Sequence, residues 1–177
     1  NLNSSFVGGV RLNSQGLLFD NGSGASEYVN CSRNSKMSNN YPLSVFSIIF
    51  PYNEGADRII CKGSDAANGS WHFRLAATNA LYFARRDDST TLVSRTSSNN
   101  SLILNRNNYI GATYLGSNTG TNIKIYNNGA EVSYQTSTDG YTNAGNGTYN
   151  FLIGTNNFNI LTGYVKLVYF WGKRTLK

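Results

Sequence analysis

The sequence predicts an all-β domain: two antiparallel sheets packed face to face as a β-sandwich. Three observations predict it. Short runs rich in Val, Ile, Leu, Tyr and Phe recur along the chain with alternating apolar and polar positions, as half-buried strands require. Clusters of Gly, Asn, Ser and Thr separate the runs, and these are the residues of tight turns. No segment carries the 3.6-residue apolar period of a helix of any length. The 177 residues suffice for one domain with a sizeable core. Only 14% are charged, against about 25% in an average soluble domain, yet the regular spacing of the apolar runs argues against disorder.

Each element follows in order. Residues 1–15 are mostly polar with a small apolar patch at Phe6, Val7 and Val10, and read as an edge strand or lead-in. Residues 16–20 form a strand closed by Asn21-Gly22-Ser23-Gly24, and residues 27–31 form the next. A polar loop over 32–41 ends at Pro42. Residues 43–50 are the most apolar run; it is short for a core helix, and its β-branched and aromatic content makes it a central strand. Pro51 stops it. A strand over 57–62 and a turn over 63–69 precede a hairpin, 70–75 against 80–85, closed across 76–79. A strand over 91–94 follows, and Leu102-Ile-Leu104 leads into residues 108–129. In that stretch Ile110, Ala112 and Tyr114 share one strand face, and Ile123 and Ile125 share another. Asn128-Gly129 is a two-residue hairpin turn, because both residues tolerate positive φ. Residues 131–134 form a short strand, 136–148 a long loop, 149–154 a strand, 155–162 a loop, and 163–171 a last long apolar strand.

Composition narrows the partners. The formal charge is +6, but Arg and Lys are scattered and pair only at Arg85-Arg86 and Lys173-Arg174, so no nucleic-acid partner is expected. A mildly basic solvated surface accounts for the charge; a preference for acidic glycans is the sharper reading. No apolar run approaches the roughly 18 residues that span a membrane, so no membrane insertion is expected. Cys31 and Cys61 are too few for a disulfide framework. They can pair, but Cys61 lies in the apolar run Arg58-Ile-Ile-Cys-Lys62 and reads better as a buried thiol. The chain begins at Asn1 without a Met, and we expect a single domain excised from a longer protein.

Catalytic chemistry finds little purchase. The acids are Asp20, Glu27, Glu54, Asp57, Asp65, Asp87, Asp88, Glu131 and Asp139, and none sets up the Glu-x-Asp-x-x-Glu spacing of a strand-borne glycosidase pair. Asp87-Asp88 on a strand would point to opposite faces. One histidine and two distant cysteines support no zinc site. No glycine-rich phosphate loop precedes a helix. His72, Arg74 and Tyr82 echo the Tyr/His pair with Arg of a polysaccharide lyase, without its full set.

Binding is the better class. In the hairpin over 70–86, Trp71, Phe73 and Leu75 alternate with His72 and Arg74, and Leu81 and Phe83 alternate with Tyr82, Ala84 and Arg86. With the first set in the core, His72, Arg74, Tyr82 and Arg86 line the outer face of a sheet. A tyrosine ring stacks on a sugar, and Arg and His supply directional donors. Arg also suits bidentate capture of a carboxylate or sulfate. Trp71, if it faces out, becomes the main stacking platform. An ordinary solvated strand face with an arginine packed over a ring accounts for the same residues.

Several stretches, in order, resemble the laminin-G-like, concanavalin-A-like jelly-roll domains. Leu18-Phe19-Asp20 with Glu27-Tyr28-Val29 resembles the opening strand pair, and Phe46-Ser47-Ile48 the central strand. Arg58-Ile-Ile-Cys-Lys-Gly63 resembles the strand ending in Lys-Gly. The closest likeness is Tyr109–Tyr114 followed by Ile123-Lys-Ile-Tyr-Asn-Asn-Gly129. Leu152-Ile-Gly154 and residues 163–171 resemble the closing strands, so the likeness spans residues 16–176. The chain departs from the family's usual pattern at Pro51-Tyr52 and at Val165-Lys166-Leu167, where relatives often carry acids. The resemblance implies a jelly roll. It requires no cofactor and admits a structural calcium at the sandwich rim, with Asp20, Asn21 and Asp65 as the oxygen donors in reach. It is not specific for function, since members of this fold bind glycans, bind proteins, coat virions or cleave polysaccharides; with no catalytic pair in the sequence, we expect a lectin-like, non-catalytic module for a polysaccharide or surface glycan, outside the cell or on a cell or virion surface. A virus or phage structural or host-attachment domain, and a lyase or hydrolase of the same fold, are its rivals.

Overall fold

The computed structural model describes residues 4–20, 27–32, 42–53, 58–62, 70–86, 92–116, 118–140, 149–154 and 161–172. These residues form fifteen strands and two 3-10 turns: β1 Ser5–Val7, β2 Arg11–Asn13, β3 Gly16–Phe19, β4 Tyr28–Asn30, β5 Leu43–Pro51, β6 Arg58–Lys62, β7 Ser70–Ala76, β8 Ala80–Arg86, β9 Leu92–Ser97, β10 Asn108–Tyr114, β11 Ile123–Asn127, β12 Ala130–Glu131, β13 Tyr134–Thr138, β14 Phe151–Gly154 and β15 Gly163–Gly172. They build two antiparallel sheets. One has the order β1-β4-β14-β6-β7-β8-β9-β13 and the other β12-β11-β10-β5-β15-β3-β2. The all-β sandwich is as the sequence predicts, and β5 is the central strand of the seven-stranded sheet.

The core is the filling between the sheets. From β5 it takes Leu43, Val45 and Ile49, and from β10 Ile110, Ala112 and Tyr114. From the facing sheet it takes Ile59, Ile60, Trp71, Phe73, Leu75, Leu81 and Phe83. Strand alternation does most of the sorting, every second residue entering the core, except at the irregularity in β6 where Ile59 and Ile60 are both buried. Trp71 stacks on Phe83 of its own sheet (ring centroids 6.1 Å, interplanar 19°) and on Phe170 of β15 across the gap (5.5 Å, 5°). The inward phase of the hairpin thus settles the orientation left open in the sequence: Trp71 is 2% exposed and cannot meet a ligand. Lys62 and Arg85, the register neighbours of Trp71 on either side, are also buried.

Local chemistry fixes the turns. Asn128 and Gly129 have φ of 51° and 85°, and they close the β11–β12 hairpin as a two-residue turn. Two stretches differ from expectation. The strand expected over 131–134 ends at Glu131, and the chain then changes sheets. Residues 134–138, with 136–138 expected within a loop, form β13 on the edge of the eight-stranded sheet, paired with β9. Its burial pattern is exposed almost throughout, so it carries no apolar alternation to read. Cys31 and Cys61 are not bridged to one another; Cys61 is buried, and its Sγ donates to the Gly154 carbonyl at 3.6 Å. Among the described residues no helix is long and apolar enough to cross a membrane.

Candidate functional site

The hairpin of β7 and β8 brings together most of the residues the sequence nominates. Arg74 and Tyr82 are direct register partners on the outer face of the eight-stranded sheet. The Arg74 guanidinium lies 4.5 Å from the Tyr82 ring centroid. The His72 ring stacks on Tyr82 at 5.4 Å and 28°. The trio is real, but its surfaces are spent on one another. His72 is 6% exposed, and the Tyr82 ring that would meet a sugar already carries two partners. A ligand here would have to displace a cation–π contact worth about 0.5–1 kcal/mol at an exposed site. Arg86 closes β8 opposite Ser70 and Leu92, and its side chain lies outside the described residues. Of the calcium donors, Asn21 and Asp65 lie outside them too, and Asp20 is ion-paired with Arg11 at 2.8 Å. Among the described residues no cluster of three His, Cys, Asp or Glu side chains is placed to hold a metal.

The other sheet offers a surface that no single stretch of sequence reveals. The outer face of β11, β10, β5 and β15 forms a groove of about 500 Å³, within the range of small-ligand clefts. Register builds its floor. Tyr126 pairs with Gly111, Gly111 with Phe46, and Phe46 with Tyr169, so one transverse row crosses four strands. The next row is Tyr109, Ile48 and Leu167. Phe46, Tyr109 and Tyr169 are 39%, 57% and 52% exposed, so their rings face solvent. Large rings gathered on one exposed sheet face form a contiguous patch rather than scattered exposure.

Three local devices hold this floor. Gly111 carries no side chain, and the Phe46 ring lies directly over it; a Cβ there would meet the Phe46 ring, with Cε1 at 2.5 Å. Asn128 clasps the strand end that carries Tyr109: its backbone N–H donates to the Tyr109 carbonyl at 2.8 Å, and its Oδ1 accepts from the Tyr109 N–H at 3.1 Å. A β-bulge between Val165 and Leu167 shifts β15 against β5, and Ser47 Oγ donates to the Leu167 carbonyl at 2.8 Å from the inner side. The bulge keeps Leu167 and Tyr169 in the outward phase. Beyond it the same face continues as an edge-to-face cluster of Phe50, Tyr52 and Tyr164.

The groove's far wall is tied to the opposite sheet. Arg95 of β9 donates to the carbonyls of Thr121 (3.0 Å) and Ile123 (2.7 Å) and lies 3.3 Å over the Tyr134 ring. The Tyr134 hydroxyl accepts from the Ile125 N–H at 2.8 Å and donates to Glu131 at 3.0 Å, and Lys124 pairs with Glu131 at 3.0 Å. Burial pushes the Tyr134 hydroxyl up to about 12, and the Glu131 carboxylate adds to the rise. A tyrosine raised in the folded state stabilises it below the unfolded value near 10, and that contribution is lost as pH climbs through the folded value. Alkaline titration followed by phenolate absorbance should therefore include a late step near pH 12 from Tyr134. Tyr134→Phe should remove that late step; its persistence in the variant would assign the step elsewhere.

The comparisons with known proteins agree with this architecture. A family model described as the concanavalin A-like lectin/glucanases superfamily matches residues 21–176. No curated protein matches the sequence significantly. Among solved structures, domain 4 of AbnA, a GH43 extracellular arabinanase from Geobacillus stearothermophilus in complex with arabinotriose, superposes with TM-score 0.61 at 13% identity, over 95% of this chain and 75% of that one. A heptameric SAP-like pentraxin from Limulus polyphemus gives 0.52 at 11% identity, over 73% and 63%. A Trypanosoma rangeli sialidase mutant displaying trans-sialidase activity gives 0.56 at 11% identity, over 97% of this chain and 27% of that one. At these identities the likeness is one of fold.

Proposed function

This chain belongs to the concanavalin A-like lectin/glucanases superfamily, and we propose that it is a non-catalytic carbohydrate-binding module whose site is the tyrosine-lined groove of the seven-stranded sheet. The observation that carries the proposal is the transverse row Tyr126, Gly111, Phe46 and Tyr169, with Tyr109 beside it. Sugars present flat C–H faces that pack on aromatic rings, and tyrosine adds a hydroxyl at the ring's edge for the sugar's own hydroxyls. Tyrosine loses little conformational entropy when it is fixed by a ligand, so a face made of tyrosines is an economical binder.

Two further facts support the reading as a glycan-binding site, the first of them over a catalytic one. Among the described residues that line the groove there is no carboxylate, whereas a glycosidase sets two across the scissile bond. A relative in fold, the arabinanase domain, was crystallised with arabinotriose. The module would meet polysaccharide outside the cell or at a surface.

The test is calorimetric titration against a panel of oligosaccharides beginning with arabino-oligosaccharides. Tyr126→Ala and Tyr169→Ala should each weaken binding about tenfold, the loss expected for one aromatic stacking contact. Tyr82→Ala and Arg74→Ala, on the other sheet, should leave it unchanged. The reverse pattern would return the site to the β7–β8 hairpin. New reducing ends or unsaturated products after incubation with the same panel would sink the non-catalytic part.

Gly111→Ala separates the groove from the scaffold. The added methyl overlaps the Phe46 ring, but Phe46 is exposed and can swing aside, so stability should change by less than about 1 kcal/mol. The floor would nevertheless be lost. Thermal melts should stay close to wild type while oligosaccharide affinity drops about tenfold, the worth of one ring contact.

A further inference from the structure

The tyrosine groove is uncharged, and that selects among glycans. We infer that its ligand is a neutral polysaccharide, held as a segment of about four sugar units lying across the strands; this rests on the groove being the glycan site. Among the described residues lining it are rings, aliphatic side chains, glycines and hydroxyls, and no ionisable acid or base other than tyrosine. A uronate or sulfate entering such a groove gives up its water and gains no cation in return, which disfavours its burial. Two described cations stand beside it, each with a contact of its own. Lys124, two residues along β11 from Tyr126, is paired with Glu131 at 3.0 Å. Lys166 sits 5.7 Å from the Phe50 ring, beyond the second row. Arg74, the residue the sequence offers for an acidic sugar, lies over Tyr82 on the opposite sheet. A neutral sugar loses nothing by this: its C–H faces meet the rings, and its hydroxyls meet Tyr hydroxyls and Thr113.

The length follows from register. Tyr126 and Tyr169 are the outermost rings of one transverse row over β11, β10, β5 and β15; past Tyr126 the row continues to Glu131 of β12, the ion-pair partner of Lys124. Three strand spacings separate the two rings, about 14 Å. A sugar in an extended chain advances by roughly one strand spacing, so about four units reach from ring to ring.

The experiment titrates the intact protein with neutral arabino- and xylo-oligosaccharides from disaccharide to hexasaccharide, and with oligogalacturonates of matching length. We expect at least one neutral series to bind, with affinity climbing to about the tetrasaccharide and then levelling. Oligogalacturonates should bind at least about tenfold more weakly. The dissociation constant for the neutral ligand should be flat up to about 1 M salt, where charge contacts are screened. Oligogalacturonate binding as tight as the neutral series, or affinity falling steeply with salt, overturns the neutral class; if Tyr126→Ala and Tyr169→Ala still weaken that binding, the groove itself stands. Affinity still climbing at the hexasaccharide overturns the length. Binding of either class that ignores both substitutions, or no binding of either class, overturns the groove and the inference together. Tyr169 is 52% exposed, so its removal should leave the fold intact, and an unchanged melting curve verifies that.

Discussion

Trp71→Ala is expected to lower the unfolding free energy by about 3–5 kcal/mol, the usual cost of deleting a large buried ring. The estimate rests on what the indole touches. It is 2% exposed. It stacks on Phe170 at 5.5 Å and 5°, on Phe83 at 6.1 Å and 19°, and meets Phe151 at 5.9 Å. Those rings come from β15, β8 and β14, so one side chain joins both sheets and, within its own, the neighbouring β8 and the more distant β14. Alanine leaves a hole that rigid strands on either side cannot close, and the partners lose their stacking at once. A typical domain has only about 5–15 kcal/mol to lose. The denaturant midpoint should fall by much of its value with the slope unchanged. Trp71→Phe keeps a ring in the stack and should cost far less. It also tests function: if the folded Trp71→Phe protein bound oligosaccharide markedly worse than wild type, the indole would be a ligand platform after all, contrary to its place in the core.

The hairpin that holds Trp71 was legible because its signal is local. Trp71, Phe73 and Leu75 alternate with His72 and Arg74 within one strand, and the partner strand repeats the phase. The Asn128-Gly129 turn and the central place of β5 were legible for the same reason: short runs with distinct chemistry. β13 was not, because an edge strand exposed on both sides has no apolar period. The site escaped for a different reason. Its rings stand at positions 46, 109, 126 and 169, on four strands that become neighbours only through the sheet order. Polar residues on an outward phase drew attention to His72, Arg74 and Tyr82 instead, although those three side chains pack on one another. One local signal did point to the groove. β5 is apolar on both phases, with Phe46, Ile48 and Phe50 where a solvated antiparallel face should be polar. Such a strand needs a cover on its outer face or something to bind there, and Gly111 beside an outward Phe46 marks which face it is.

Asn108→Ala is expected to cost about 3 kcal/mol, because it strips partners from several backbone groups at once. Asn108 is fully buried at the start of β10. Its Oδ1 accepts from the Ile103 N–H at 3.1 Å, and its Nδ2 donates to the carbonyls of Ile103 (2.8 Å) and Arg106 (2.9 Å). The amide thus closes the loop that carries the chain from β9 in one sheet to β10 in the other. Each buried group left unpaired costs about 1–3 kcal/mol. Asn127 reinforces the closure, with Nδ2 donating to the Ser101 carbonyl at 2.6 Å. Asn108→Asp separates the roles of the two ends. It keeps the acceptor for Ile103 N–H but turns a second oxygen toward two carbonyls, which disfavours the charged form and raises that carboxyl's pKa. A group raised on folding stabilises below its unfolded pKa and stops doing so as pH rises, so Asn108→Asp should recover stability toward acid while Asn108→Ala does not. Equal deficits for the two variants at every pH would mean that the two donor contacts carry little. The effect should also reach the groove. Tyr109 and Gly111 follow Asn108 on the same strand, so a frayed start to β10 should loosen one end of the ring-lined floor before the rest of the sheet yields.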